Sequence, residues 1–202
     1  MRKINVLTFL TMDGVMQGPG APEEDTSGGF HRGGWSVGYF DEAVGQEMTQ
    51  QMGHGFDLLL GRRTYEIFWS HWPRVKDPMA DVINNATKYV ATNRPLTKDW
   101  KTVRLEGDVI EALRKLKEAI GPELQVHGSG TLIQTLLKND LVDELWLKIF
   151  PVTLGSGRRL FAEGTPCAGF ELIESRASAS GVILAKYRRA GDVKSGSFAL
   201  PA

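Results

Sequence analysis

Gly61-Arg62-Arg63-Thr64, Thr92-Asn93-Arg94 and Gly128-Ser129-Gly130-Thr131 each follow an apolar run that reads as a strand. They lie in LLLGRRTYE (58–66), KYVATNRP (88–95) and LQVHGSGTLIQTLL (124–137). A strand that ends in glycine and opens into a helix leaves amide N–H groups unpaired at the positive end of a helix dipole, which suits phosphate. Arg62, Arg63 and Arg94 would add charge-assisted hydrogen bonds. Cations at a helix start oppose the dipole unless an anion joins them, so the first segment favours function over a solvated basic turn. At Gly128 and Gly130 a tight turn needing positive φ competes evenly with phosphate binding, and at Thr92–Arg94 a plain turn competes likewise. The pattern predicts an enzyme with a nucleotide cofactor, Arg94 reading a ribose 2′-phosphate. HGSGTL does not satisfy G-x-G-x-x-G, because Ile133 stands where the third glycine belongs, and this disfavours a standard dinucleotide fold.

The elements that position these residues follow from periodicity. Ile4, Val6 and Phe9 lie in a β-rich opening that stops at Asp13-Gly14, and a glycine-rich stretch to residue 38 reads as a long loop. Its aromatic residues Phe30, Trp35, Tyr39 and Phe40 suggest a lid or pocket wall. A helix is expected over 41–52 with Asp41 as N-cap, then a strand over 57–60. Tyr65, Phe68, Trp69 and Trp72 keep a helical period until Pro73, an aromatic stripe that most often serves core packing. DVIEALRKLKEAIGP carries an Asp108-x-x-Glu111 capping box, apolar Ile110, Leu113, Leu116 and Ile120, and a Gly121-Pro122 stop. A short strand at 124–126 precedes a helix opened by Thr131-x-x-Gln134. DELWLKIFP, FELIES and GVILAKYRR then run as strands without intervening helices, which suggests an antiparallel edge on a mainly parallel sheet.

At 202 residues the chain suits one domain over 1–189 with a flexible tail over 190–202. Lys+Arg and Asp+Glu both total 24, so nothing suggests nucleic acid or an anionic membrane, and the expected partner is a small molecule. The lone Cys167 forms no internal disulfide, and the opening residues hold no apolar run long enough for a signal peptide or spanning helix. A cytoplasmic protein is expected. The run Leu145–Phe150 reads as a strand that either is internal or pairs across a two-fold to give a homodimer.

TMDG at 11–14, LGRRTYE at 60–66, KYVATNRP, VHGSGTLIQTLL and LVDELWLKIFPVTLGSGRRLF at 141–161, in that order, resemble the dihydrofolate reductase superfamily. The likeness is to its branch related to the reductase domain of riboflavin biosynthesis, and it spans nearly the whole chain. The third motif departs from the family's adjacent Gly-Gly in having His127 before Gly128. The resemblance implies an α/β fold with a central, mixed but mostly parallel sheet of about eight strands flanked by helices, and NADPH lying across the strand ends. It implies that Gly61, Arg62, Arg63 and Thr64 hold phosphate and ribose, that Thr92, Asn93 and Arg94 flank the 2′-phosphate, and that Gly128, Ser129, Gly130 and Thr131 cradle the pyrophosphate. Trp35, Phe40 and Phe68 are then the expected substrate contacts. Arg158 serves either substrate phosphate or the surface, the latter being favoured.

Hydride transfer to C=N or C=O also needs a proton at the heteroatom. Asp13 and Asp41 are the candidates, although each is more often a turn residue or an N-cap, and His127 is more often an interior histidine. The resemblance implies an NADPH-dependent reductase of a pteridine-like or ribosylaminopyrimidine-like substrate. A second reading is a nucleotide-binding module without turnover. No H-x-E is present and Pro166-Cys167 lacks a second cysteine, so zinc deamination is excluded and no metal is expected.

Overall fold

The computed structural model describes residues 1–198. Eight strands form one sheet: β1 (Ile4–Thr11), β2 (Phe56–Gly61), β3 (Lys88–Ala91), β4 (Thr102–Leu105), β5 (Glu123–Val126), β6 (Glu144–Phe150), β7 (Phe170–Ala177) and β8 (Ile183–Arg189), in the order β4-β3-β2-β5-β1-β6-β8-β7. The first six run parallel to one another, while β8 runs antiparallel to both β6 and β7. Helices α1 (Glu42–Met52), α2 (Arg62–His71), α3 (Pro78–Asn85), α4 (Val109–Glu118) and α5 (Gly130–Lys138) complete the fold. The mostly parallel sheet with an antiparallel edge matches the expectation.

The two sheet faces are read directly from alternation along β2. Leu59 joins a core of Ile4, Val6, Leu124 and Val126 beneath Leu113 of α4 and Ile133 of α5. Leu58 and Leu60 face the other way, against Tyr65 of α2, Ile83 of α3 and Met52 of α1. Both faces are therefore covered, as parallel strands require.

Local chemistry sets several element ends. Asp41 caps α1 through Val44 N, Asp77 caps α3 through Ala80 N with Pro78 at the first helical position, and Asp108 caps α4 through Ile110 and Glu111 N. Helix α3 and strand β4 were not read from the sequence, being too short to show a period. Helix α4 ends at Glu118, so Ile120 is fully exposed and not part of the apolar face. Helix α5 begins at Gly130 with Ser129 as N-cap, and no side chain closes it, so the Thr131 capping box does not form.

Between the alternatives left open for the run at 145–150 and for the long loop, the structure takes the internal strand and the pocket wall. The run Leu145–Phe150 lies inside the sheet between β1 and β8, hydrogen-bonded on both sides and unavailable for pairing across a two-fold. The long loop is tied down: Gln17 Nε2 donates to Asp25 O and Ser27 O, Trp35 Nε1 donates to Gln17 O, and Ser36 Oγ donates to Pro19 O. It is a fixed wall. At the expected tail, Gly169 N donates to Gly191 O and Ala190 N to Gly169 O, which prolongs the β7–β8 pairing; residues 199–202 lie outside the described part.

Candidate active site

Strands β3, β2 and β5 are neighbours and parallel, so their C-terminal ends share one edge of the sheet. Gly61 is paired with Ala91, and the pairing of Leu58 with Gln125 brings Gly61 level with Gly128. With adjacent strands about 4.8 Å apart, the three motifs form one row about 10 Å long. Helices α2 and α5 both start in that row, and neither N-cap residue, Gly61 or Ser129, offers a side-chain cap. Their first amides are the orphan donors that an anion would satisfy.

The two helix starts interlock through glycine. A Cβ on Gly61 would fall 2.0 Å from Ser129 Oγ, and one on Gly128 would fall 2.7 Å from Thr64 Oγ1. Gly128 also has φ near 154°, and the Gly128–Ser129 peptide is cis. Of the side chains in the row, Arg62 pairs with Glu66 at 2.7 Å and Arg63 with Asp25 at 2.7 Å. Thr92 Oγ1 accepts from Arg94 N at 3.1 Å, and Asn93 Oδ1 from Gly107 N at 3.0 Å, which shapes the turn after β3. The Arg94 side chain is exposed and makes no ion pair or hydrogen bond with a described residue. Thr131 is exposed on the first turn of α5.

Beside this row opens a cavity of about 240 Å³, bounded by Thr64, Gly128, Ser129 and Gly130 on the motif side and by the residue 16–25 loop on the other. Phe68 lines it. So does Arg158, but its guanidinium braces the loop, reaching Asp25 Oδ2 at 2.9 Å and Ser27 Oγ at 2.6 Å. Burial opposes charge at Asp25, yet the Ser27 donors and the flanking Arg158 and Arg63 outweigh it and lower its pKa.

The remaining wall is largely apolar, with Met48, Met52, Ile67 and Trp72, but it carries a polar group that the sequence does not mark apart from His127. Gln51 of α1 and Lys148 of β6 reach the cavity from opposite layers, and Lys148 Nζ donates to Gln51 Oε1. Gln125 Nε2 donates to Gln51 O at 2.7 Å and to Glu123 Oε1 at 2.8 Å. Gln125 Oε1, 3.3 Å from His127 Nε2, is therefore an acceptor, so Nε2 carries the hydrogen. Burial first, then the nearby Lys148 charge, lowers the His127 pKa to about 3, which leaves it neutral. Burial lowers that of Lys148 to about 7, against the opposing pull of Glu47. Glu24, on the loop, is pushed up by burial and accepts from Gly20 N at 2.6 Å.

Four expected site residues lie elsewhere. Asp13 accepts from Thr11 Oγ1 at 2.5 Å, Leu154 N at 3.2 Å and Gly155 N at 2.8 Å, and these donors, Thr11 first, hold its pKa at about 2. Asp41 accepts from Ser180 N and Val44 N, which hold it well below the carboxylate range. Neither carboxylate borders the cavity. Trp35 packs edge-on against Phe150, with centroids 5.4 Å apart, and Phe40 stands behind Phe9 at 6.2 Å. Both act on the cavity only through other residues.

Residues 2–184 match the RibD C-terminal domain. The uncharacterised protein YyaP of Bacillus subtilis (strain 168) is 27% identical over 135 residues, spanning 64% of this chain and 72% of YyaP. A protein from Shewanella sp. PV-4 provisionally assigned to riboflavin biosynthesis superposes with a TM-score of 0.66 at 21% identity, over 93% of this chain and 99% of its own. Dihydrofolate reductase from Enterococcus faecalis, solved with NADP(H), gives a TM-score of 0.60 at 14% identity, over 93% and 96% of the two chains. No helix among the described residues is long and apolar enough to cross a membrane. The chain belongs to the RibD C-terminal domain family and has the dihydrofolate reductase-like fold.

Proposed function

We propose that this chain is an NADPH-dependent oxidoreductase that reduces a small pteridine-like or ribosylaminopyrimidine-like ring. The observation that carries the reading is a shared wall: Thr64, Gly128, Ser129 and Gly130 belong both to the glycine-rich row and to the cavity. A dinucleotide along the row would present its nicotinamide end to whatever fills the cavity. The bound cofactor supplies the hydride.

The residues present fit such a cofactor. Two uncapped helix starts suit its pyrophosphate, and the unpartnered Arg94 suits a 2′-phosphate. Gly61 and Gly128 let the backbone approach where any Cβ would intrude. The chain's own contribution is to place the acceptor carbon about 3–3.5 Å from the donor, exclude water and manage one proton. The tied-down loop supplies exclusion. Glu24 and Lys148 border the cavity and can hold a proton, so the loss of Asp13 and Asp41 from the site does not leave it inert.

The test is a fluorescence titration of the purified chain with NADPH and NADH, with tryptophans near the cavity as energy donors, alongside Arg94→Ala. NADPH should bind, and the variant should weaken NADPH much more than NADH. No binding of either nucleotide would overturn the proposal.

A further inference from the structure

Among the described residues, Lys148 is the one lysine or arginine bordering the cavity that makes no ion pair. Arg63 and Arg158 are both held by the Asp25 carboxylate, at 2.7 and 2.9 Å. Lys148 is only 2% exposed, with Phe9 and Leu184 as its neighbours across the sheet. An ammonium has three donors, and one protein acceptor is recorded for this one, Gln51 Oε1. The Gln51 amide is locked in that sense, because its Nε2 donates to Glu47 Oε1 at 2.6 Å and Glu47 is itself paired with Arg176 at 2.8 Å. The carboxylate whose charge acts on Lys148 is thus already paired with another cation. His127, the other titratable group on this wall, is neutral.

We propose that Lys148 is a catalytic residue, the donor that receives a substrate oxygen carrying or developing negative charge, so that the site reduces a conjugated carbonyl. This rests on the reductase reading above. With a bound reduced nicotinamide to supply hydride to the carbonyl carbon, the C=O π pair would move onto oxygen. Nζ–H holds that oxygen and passes it one proton, leaving a C–H bond, an O–H bond and a neutral amine that solvent reprotonates. An ammonium of raised acidity suits both halves, since burial has already brought its pKa down to about 7.

The experiment uses 4-nitrophenol, a planar phenol whose anion is yellow, with the full chain on the acid side of the Lys148 value. Bound at the cavity, it should ionise, giving the yellow absorbance where free phenol gives little. Lys148→Met should bind about ten- to a hundredfold more weakly, the fold-change carried by a hydrogen bond to a charged group. Lys148→Gln, which keeps a donor without charge, should bind the phenol but leave it colourless, and it decides the matter if the methionine variant does not fold. Equal affinity and colour in the variants, or no binding to the unaltered chain, overturns the assignment. The NADPH titration is read separately, so failure there with a yellow complex here sinks the reductase reading and leaves the oxyanion site standing.

Discussion

Gly61 and Ser129 touch across the gap between β2 and β5, so closely that a methyl group on the first would fall 2.0 Å from the hydroxyl oxygen of the second. The contact joins the starts of α2 and α5 and so sets the row of orphan amides. Gly61 has an ordinary φ of −75°, so the requirement for glycine there is steric and not conformational.

Gly61→Ala should therefore destabilise by about 1–3 kcal/mol, as overpacking does. Adding Ser129→Gly should recover part of that loss, because the double variant removes the clashing oxygen. Thermal denaturation of both variants measures this; a double variant no better than the single one would show that the conflict lies elsewhere.

Asp25 bridges Arg63 of α2 and Arg158 from the far side of the loop while accepting from Ser27. Asp25→Ala should cost about 1–3 kcal/mol through the orphaned donors. It should also raise protease sensitivity within residues 12–41. An intact loop under limited proteolysis would refute the role of this carboxylate as its anchor.

Lys88 and Lys148 are both buried, and burial pulls each pKa from 10.5 to about 7. Between those values the unfolded chain binds more protons than the folded one, so stability should rise with pH across that window. Below about 7 both states are protonated and the penalty of burying charge is at its fullest. Lys88 softens it by donating to Asn84 O and Ala86 O, both at 2.8 Å, under a stacked Trp100. Urea unfolding at a series of pH values should give a positive slope, reduced in Lys148→Met; an unchanged slope would mean that folding does not lower the Lys148 pKa.

Asp13 gives the opposite case. Its folded pKa of about 2 lies below the ordinary 3.8, so its contribution is present above 3.8 and lost as pH falls through about 2. Asp13→Asn should remove that acid-side loss without altering the nucleotide titration. A change in NADPH affinity would return Asp13 to the site.

The local grammar of the chain determined a good deal by itself. Asp41 and Asp108 announce their helices because a cap bonds amides two or three residues away, and the three glycine-rich segments announce strand ends because the change from apolar run to small residue is local. The antiparallel edge followed from strands without helices between them. What tertiary structure alone decided is which side chains share a cavity. Lys148 and Gln51 are 97 residues apart, and nothing in LWLKIF marks its lysine as anything but an interruption in a strand. Only the passage of β6 beneath α1 removes that ammonium from water and turns it towards the glycine row, while Asp13 and Asp41, better placed in sequence, are consumed by amides of distant loops, Leu154 and Gly155 for the one and Ser180 for the other. Contacts within a few residues are written in the chain, whereas desolvation depends on what the whole fold stacks above a residue.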